Sequence, residues 1–121
     1  MKKILIIEPD DALREEYREV FGAAGFDVHT AVDGKMGLDS MWRESPDCVL
    51  LEILLPKIDG FEVVRQIRQR TQTSGTLVVF FTSLIHEDDS TRARHLGAHE
   101  YYIKADHASA DIVKKIKALL R

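Results

Sequence analysis

Four apolar segments of the chain each end next to residues that carry acid, hydroxyl or amine groups. These residues are Glu8 and Asp10 after the first segment, then Glu52, Thr82 and Lys104 after three later ones. Carboxylates held close together repel one another, and a cation or proton uptake relieves the repulsion. A lysine ammonium and a hydroxyl can both bind phosphate oxygens. If these groups meet, the set favours phosphoryl transfer to a carboxylate, aided by a hard cation such as Mg²⁺.

Each of these residues, taken singly, also has a purely structural explanation. Glu8 and Asp10 can favour the positive end of a following helix. Thr82 can belong to a turn, and Lys104 can be solvated. Glu52 is harder to explain in this way, because a carboxylate that closes an apolar strand needs a partner or access to water. The combination of all four strand ends therefore indicates a site, whereas no single member does.

Short apolar runs alternate with amphipathic stretches along the whole chain. Continuous apolar runs rich in β-branched residues are typical of parallel strands that are covered on both faces. Alternation with helical periodicity predicts an α/β fold, with a five-stranded parallel sheet between two layers of helices. In such open sheets, chemistry lies at the carboxyl ends of the strands, where the polar groups above would converge. The pair Asp33-Gly34 predicts a turn, and Asp59 is a predicted helix cap. The predicted strands are Ile4–Ile7, Phe26–Val32, Cys48–Leu51, Leu77–Phe81 and Tyr101–Ile103.

Composition limits the class of protein. The 121 residues fit one domain, residues 1–121, and 45% of them are hydrophobic, which is enough for a core. A net charge of -3 offers no basic surface for nucleic acid or for a membrane. No apolar run is long enough to cross a bilayer, and the N-terminus has no signal-peptide pattern. The single cysteine, Cys48, excludes an internal disulfide and favours a reducing, cytoplasmic location, and the scattered histidines predict no metal site.

Several stretches, in order and at suitable spacing, resemble the response-regulator receiver family over nearly the whole chain. The resemblance implies a flavodoxin-like, CheY-like (βα)5 sandwich with strand order 2-1-3-4-5. It also implies a signalling module of two-component, or phosphorelay, signal transduction rather than an enzyme. The stretches that carry the resemblance are Lys3–Glu8, Pro46–Glu52, Leu55–Phe61, Phe81–Thr82 and Leu96–Lys104.

The resemblance implies a role for each polar residue at the strand ends. In the family, an aspartate after the third strand accepts a phosphoryl group from a histidine kinase, and that position falls on Glu52. The hydroxyl and the lysine that bind the phosphoryl oxygens fall on Thr82 and Lys104. An aromatic residue three positions before the lysine reports the state to partners. The implied switch and interaction residues are Tyr101, Asp59 and Gly60.

The Mg²⁺ site of the family falls on an altered set of residues. The acidic pair after the first strand corresponds to Glu8 and Pro9, and the backbone carbonyl ligand corresponds to Leu54. Proline offers neither a carboxylate nor an N–H group. Asp10, one residue further on, is the candidate replacement. We therefore expect Glu8, Asp10 and Leu54 to bind Mg²⁺ weakly or not at all.

Two further positions depart from the family pattern. At the acceptor position, the extra methylene of Glu52 pushes the carboxylate toward Lys104. An error of about 1 Å in the position of a reacting group can cost roughly 100-fold in rate. The family usually has a proline after the lysine, with a cis bond, but Ala105 stands here. A cis bond before a non-proline residue costs about 2.5–4 kcal/mol, so we expect a trans bond.

Three functions follow from these residues. The preferred hypothesis is an atypical receiver that works without phosphorylation as a protein-interaction module. Its partner would be a histidine kinase or another signalling protein on the face of the fourth helix, fifth strand and fifth helix, where a homodimer could also form. The alternative is slow, Mg-dependent phosphorylation of Glu52, with Glu8 and Asp10 holding the metal. A flavin-binding enzyme is disfavoured, because the charges of Glu8–Asp11 would repel a cofactor phosphate.

Overall fold

Five parallel strands form a sheet in the order β2-β1-β3-β4-β5. The structure is a computed structural model that describes residues 1–121. The predicted fold class and strand order are confirmed. The observed second strand is shorter than the predicted Phe26–Val32. The strands are β1 (Lys3–Ile7), β2 (Asp27–Ala31), β3 (Cys48–Leu51), β4 (Leu77–Thr82) and β5 (Glu100–Ile103).

Helices follow each of the five strands, and three of them begin at an aspartate cap. Asp10, Asp33 and Asp59 each accept a hydrogen bond from the backbone N–H three residues later. Such a cap satisfies an N–H that has no partner within the helix. The pair Asp33-Gly34 was predicted to form a turn, but the structure shows the start of a helix there. The helices are α1 (Asp11–Ala23), α2 (Gly34–Glu44), α3 (Gly60–Gln69), α4 (Glu87–His95) and α5 (Ser109–Leu119).

Alternate residues of the strands feed two separate cores, one on each face of the sheet. In β1, Leu5 and Ile7 belong to the core that also contains residues of α2 and α3, whereas Ile4 and Ile6 belong to the core shared with α1 and α5. This division follows from the alternation of side chains along a strand. Both faces of the sheet are therefore covered, and the polar groups are left at its ends.

Helix α4 differs from the other helices because it has almost no apolar face. Its one buried residue is Ala93. Acidic residues occupy its first turn and basic residues its last turn, an arrangement that favours the helix dipole. The guanidinium of Arg92 lies 4.2 Å from the centroid of the Phe61 ring of α3. This cation–π contact adds an attraction between α4 and α3 to the packing of Ala93 in the core.

Two further features complete the backbone description. All peptide bonds are trans, including the bond between Lys104 and Ala105, as expected from the sequence. None of the helices combines the length and the apolar character needed to cross a lipid bilayer.

The start of α3 packs directly against the end of β3, and this contact requires a glycine. The N–H of Gly60 donates to the carbonyl of Ile53 at 2.8 Å. A Cβ atom at Gly60 would lie 2.6 Å from the carbonyl oxygen of Glu52 and 2.7 Å from Cα of Ile53. Both atoms belong to the backbone and cannot move aside as a flexible side chain could.

We expect Gly60→Ala to lower the free energy of unfolding by about 1–3 kcal/mol, because the added methyl group forces the two backbones apart. The control is Gly22→Ala in the last turn of α1, where no atom lies within 4 Å of the added Cβ. That change should raise the stability by about 0.5–1 kcal/mol. Urea unfolding followed by circular dichroism measures both. Similar effects at the two positions would contradict this account of the α3 contact.

Candidate functional site

The carboxyl ends of four strands bring the candidate polar residues together. The register pairs Ile7 with Leu51 and Thr82 with Ile103, so the residues that follow these strands lie at one edge of the sheet. Glu8 and Glu52 are only 2% and 3% exposed. Buried charges of this kind must be paired or hydrogen-bonded.

One carboxylate oxygen of Glu52 accepts three hydrogen bonds. The donors are the backbone N–H groups of Ile53, at 2.6 Å, and Leu54, at 3.1 Å, together with the hydroxyl of Thr82. The Thr82 oxygen in turn accepts a hydrogen bond from the N–H of Leu84 at 3.2 Å. The hydroxyl is therefore fixed in orientation, with its proton directed at the carboxylate.

The other carboxylate oxygen of Glu52 faces the only ammonium group of the site. Nζ of Lys104 lies 2.9 Å from Oε1 of Glu52 and 2.6 Å from Oε1 of Glu8. The N–H of Ser83 also points at the same Glu52 oxygen, at 3.3 Å. Lys104 thus bridges two buried carboxylates, and the three side chains together carry one net negative charge.

The bridging contacts shift the pKa values of both partners in opposite directions. Burial alone would raise the pKa of Glu52, but the hydrogen bonds from Thr82 and Lys104, and the charge of Lys104, outweigh it and lower the pKa below the usual range. Burial alone would lower the pKa of Lys104, yet the two carboxylates raise it above its usual range. Both Glu52 and Lys104 therefore stay ionised over a wide range of pH.

The two acids after β1 are also engaged by groups of the protein. The second oxygen of Glu8 accepts a hydrogen bond from the N–H of Asp10 at 3.1 Å. The Asp10 carboxylate caps α1 by accepting from the N–H of Leu13 at 2.9 Å. Arg14 donates to the carbonyl of Glu8 at 3.0 Å. No group of three or more His, Cys, Asp or Glu side chains has the geometry of a metal site.

Tyr101 is connected to Glu52 through a chain of hydrogen bonds. Its hydroxyl donates to the carbonyl of Leu84 at 2.8 Å, and the N–H of that same residue donates to Thr82. The ring packs against Phe80 with centroids 6.1 Å apart. Burial, and then the charges of nearby carboxylates, raise the pKa of Tyr101 to about 12. The chain runs from Glu52 through Thr82 and Leu84 to the ring of Tyr101.

Two residues predicted from the sequence, Asp59 and Gly60, take part in a helix start, and one residue that was not predicted, Leu84, takes part in the site. Asp59 and Gly60 start α3, and the Asp59 carboxylate accepts a hydrogen bond from the N–H of Glu62 at 2.9 Å. Leu84 joins the site through its backbone alone. No side-chain pattern in the sequence could have indicated it, because every residue carries the same N–H and carbonyl groups.

Comparison with known proteins identifies the family. The model of the response regulator receiver domain matches residues 4–117. The chain belongs to this receiver family. Receiver domains are signalling modules of two-component systems that interact with histidine kinases and other signalling proteins, and they typically bind Mg²⁺ for phosphorylation.

Curated relatives of this receiver are longer proteins. The DNA-binding dual master transcriptional regulator RpaA of Synechocystis is 33% identical over 121 residues, which are 100% of this chain and 50% of the relative. The alkaline phosphatase synthesis transcriptional regulatory protein PhoP of Bacillus subtilis is 32% identical over 120 residues, which are 99% of this chain and 49% of the relative. The receiver chain therefore spans about half the length of these relatives.

Solved structures agree with the receiver assignment. A CheY-like receiver domain protein from Methanospirillum hungatei superposes with a TM-score of 0.92 at 25% identity, covering 99% of this chain and 94% of the other. The BeF3-activated N-terminal receiver domain of RstA from Klebsiella pneumoniae gives a TM-score of 0.89 at 28% identity, covering 98% of both chains.

The carboxylates expected to hold the Mg²⁺ that the family typically binds have partners within this receiver. Mg²⁺ requires oxygen ligands at about 2.0–2.1 Å in octahedral geometry. The Lys104 ammonium contacts both Glu8 and Glu52, and a second cation between them would meet its positive charge. Asp10 caps a helix, and Pro9 supplies no carboxylate. In this arrangement the ammonium provides the positive charge that the carboxylates need.

We expect Lys104→Met to lower the free energy of unfolding by about 3–5 kcal/mol at neutral pH, because it leaves two buried carboxylates without their partner. Adding Glu52→Gln should recover part of that loss. The loss should shrink as the pH falls, since protonation then neutralises the unpaired acids. Urea unfolding measures the change, and Lys114→Met, at an exposed position of α5, is the matched control. Equal effects of the two lysine substitutions would contradict the bridging role of Lys104.

Proposed function

We propose that residues 1–121 form an atypical receiver domain that works as a phosphorylation-independent protein-interaction module in two-component signal transduction. The observation that carries the proposal is the direct contact of the Glu52 carboxylate with Lys104 and Thr82. In the receiver family, these two residues correspond to the groups that bind phosphoryl oxygens. Glu52 therefore supplies, from within the chain, a negative charge at the place where a phosphorylated aspartate would carry one.

A chain of hydrogen bonds connects the Glu52 carboxylate to Tyr101. The Thr82 hydroxyl donates to Glu52 and accepts a hydrogen bond from the N–H of Leu84. The carbonyl of Leu84 accepts a hydrogen bond from the Tyr101 hydroxyl. Tyr101 lies in β5, next to α4, on the face that we propose as the interaction surface together with α5. A histidine kinase or another signalling protein is the proposed partner, and a homodimer is the alternative use of the same surface.

Phosphotransfer is disfavoured by the way Glu52 is held. A nucleophile must present a free oxygen in line with the group that it attacks. Both oxygens of Glu52 face donors, with Thr82 and two backbone N–H groups on one and Lys104 on the other. Any acceptance of a phosphoryl group would first require these contacts to break, so we propose that phosphotransfer and autophosphatase activity are weak or absent.

The competing function is slow phosphorylation of Glu52 with a metal held by Glu8 and Asp10. It requires Lys104 to leave Glu8 and requires the Asp10 carboxylate to give up its cap on α1. Losing an aspartate cap costs about 0.5–2 kcal/mol before any metal contact forms. Tight binding in a calorimetric titration with Mg²⁺ would favour this competitor, and no measurable heat of binding would favour the interaction module.

The names of the longer relatives describe DNA-binding and transcriptional regulation. We propose that such an activity does not reside in residues 1–121, because the net charge of -3 offers no positive surface for a phosphate backbone. The proposed location is the cytoplasm, in keeping with the single buried cysteine, Cys48, and with partners of the two-component type.

Incubation with acetyl phosphate and Mg²⁺, followed by intact mass measurement, tests the absence of phosphotransfer. We expect no phosphorylated species from the wild-type protein. The matched control is the Pro9→Asp/Glu52→Asp variant, which restores the two residues that the family uses and should gain Mg-dependent phosphate. Stoichiometric phosphate on Glu52 of the wild-type protein, stable in acid and labile in base, would overturn the proposal.

Thr82→Val tests the hydrogen-bond chain, because it removes the hydroxyl while keeping a β-branched side chain of similar shape. The Leu84 N–H and Glu52 each lose a partner, so we expect the free energy of unfolding to fall by about 1–3 kcal/mol. NMR should show shifts at Leu84 and at the Tyr101 ring. Thr91→Val, on an exposed position of α4, should change neither. A Tyr101 ring unaffected by Thr82→Val would contradict the coupling.

A further inference from the structure

The start of β5 is attached to β4 by a histidine side chain. Nδ1 of His99 accepts a hydrogen bond from the N–H of Val78 at 3.0 Å, and the backbone N–H of His99 donates to the carbonyl of Val78 at 2.8 Å. The imidazole thus extends the pairing of the two strands by one residue beyond β5 itself. Val78 is fully buried, so its N–H depends on this ring nitrogen for a partner.

A fixed positive charge lies beside the same ring nitrogen. Nη2 of Arg68, from α3, is 3.3 Å from Nδ1 of His99. The guanidinium donates to the carbonyls of Gly97, at 2.7 and 3.0 Å, Ser74, at 2.9 Å, and Thr76, at 2.8 Å. These carbonyl bonds hold Arg68 in position, so it cannot withdraw readily from a charged imidazole.

The surroundings of His99 favour its neutral form. Burial, followed by the charge of Arg68, lowers the pKa of His99, while the charge of Glu100 opposes the shift. The hydrogen bond from the Val78 N–H needs the lone pair of Nδ1, so it too favours the neutral ring. From α4, Arg94 lies 4.0 Å from Glu100 and offsets part of its negative charge. The charged groups that face the imidazole are therefore Arg68 from α3, Glu100 from β5 and, through Glu100, Arg94 from α4.

We propose that protonation of His99 releases the first part of β5 from β4, so that this edge strand loosens under mildly acidic conditions. A proton on Nδ1 would face the Val78 N–H, and the new positive charge would face Arg68. The hydrogen bond is then lost and replaced by repulsion. Tyr101 lies two residues further along the same strand, and Lys104 follows its end. The geometry that supports this release involves neither Glu52 nor Mg²⁺.

A second histidine lies on the opposite edge of the sheet and has different neighbours. Nε2 of His29, in β2, lies 3.3 Å from a carboxylate oxygen of Asp27 and 3.7 Å from one of Glu44. The groups beside His29 are thus carboxylates rather than a guanidinium, so the arrangement proposed for His99 is not repeated there. His29 therefore provides an internal comparison for the experiment.

The test compares the wild-type protein with His99→Asn from about pH 8 to about pH 5. The amide oxygen of asparagine can take the place of Nδ1 as an acceptor but does not titrate. Because the pKa of His99 is lower in the folded state, the unfolded state takes up a proton first as the pH falls. The unfolding equilibrium constant of the wild-type protein, relative to His99→Asn, should therefore rise by up to about tenfold per pH unit below about pH 6.5.

Two outcomes of the urea experiment are decisive. The expected result is a ratio that is constant above neutral pH and increases in acid, while the same ratio for His29→Asn does not increase. A ratio for His99→Asn that does not change with pH would overturn the proposal. If His99→Asn does not fold, NMR of the wild-type protein alone tests the proposal.

NMR follows the proposed release directly in the wild-type protein. As His99 titrates, the Val78 amide signal should shift with the same midpoint, and the amides of β5 should exchange with solvent faster than those of β2, each corrected for its intrinsic rate at that pH. Titration of the His99 ring with no change at Val78 or in β5 would overturn the proposal without bearing on the function proposed for Glu52.

Discussion

The ammonium of Lys104, placed between two buried carboxylates, is the interaction on which the site depends. Moving charges out of water costs several kcal/mol for each ion, and attraction to a well-placed partner must offset that cost. The contacts at 2.6 and 2.9 Å meet this requirement for both Glu8 and Glu52. The same Glu52 carboxylate accepts the hydrogen bond of the Thr82 hydroxyl through its other oxygen, so the ion pair and the hydrogen-bond chain share one side chain.

The sequence predicts the fold well because the relevant signals are local and repeated. Continuous apolar strands alternate with amphipathic helices, and this pattern leaves little choice of architecture. The end of each strand then locates the polar residues before any contact is known. Asp59 was correctly predicted to cap a helix. The same reasoning failed at Asp33, because an aspartate followed by glycine is compatible with a turn as well as with a helix start.

Other parts of the site could not be predicted, since they depend on competition between partners. The sequence offered Asp10 both as a helix cap and as a metal ligand, and only the contacts within the fold show which of these its carboxylate makes here. Leu84 takes part through its peptide groups, which carry no side-chain signal. His99 and Arg68 come from separate elements of the fold, so no local sequence pattern predicts their contact.

Helix α4 has almost no apolar face, and this affects its local stability. Helix α4 buries only one side chain, that of Ala93, so it contributes less apolar area to the core than the other helices. Segments with few buried contacts open at a free energy well below that of global unfolding. By this criterion, α4 is the helix with the lowest expected free energy of local opening.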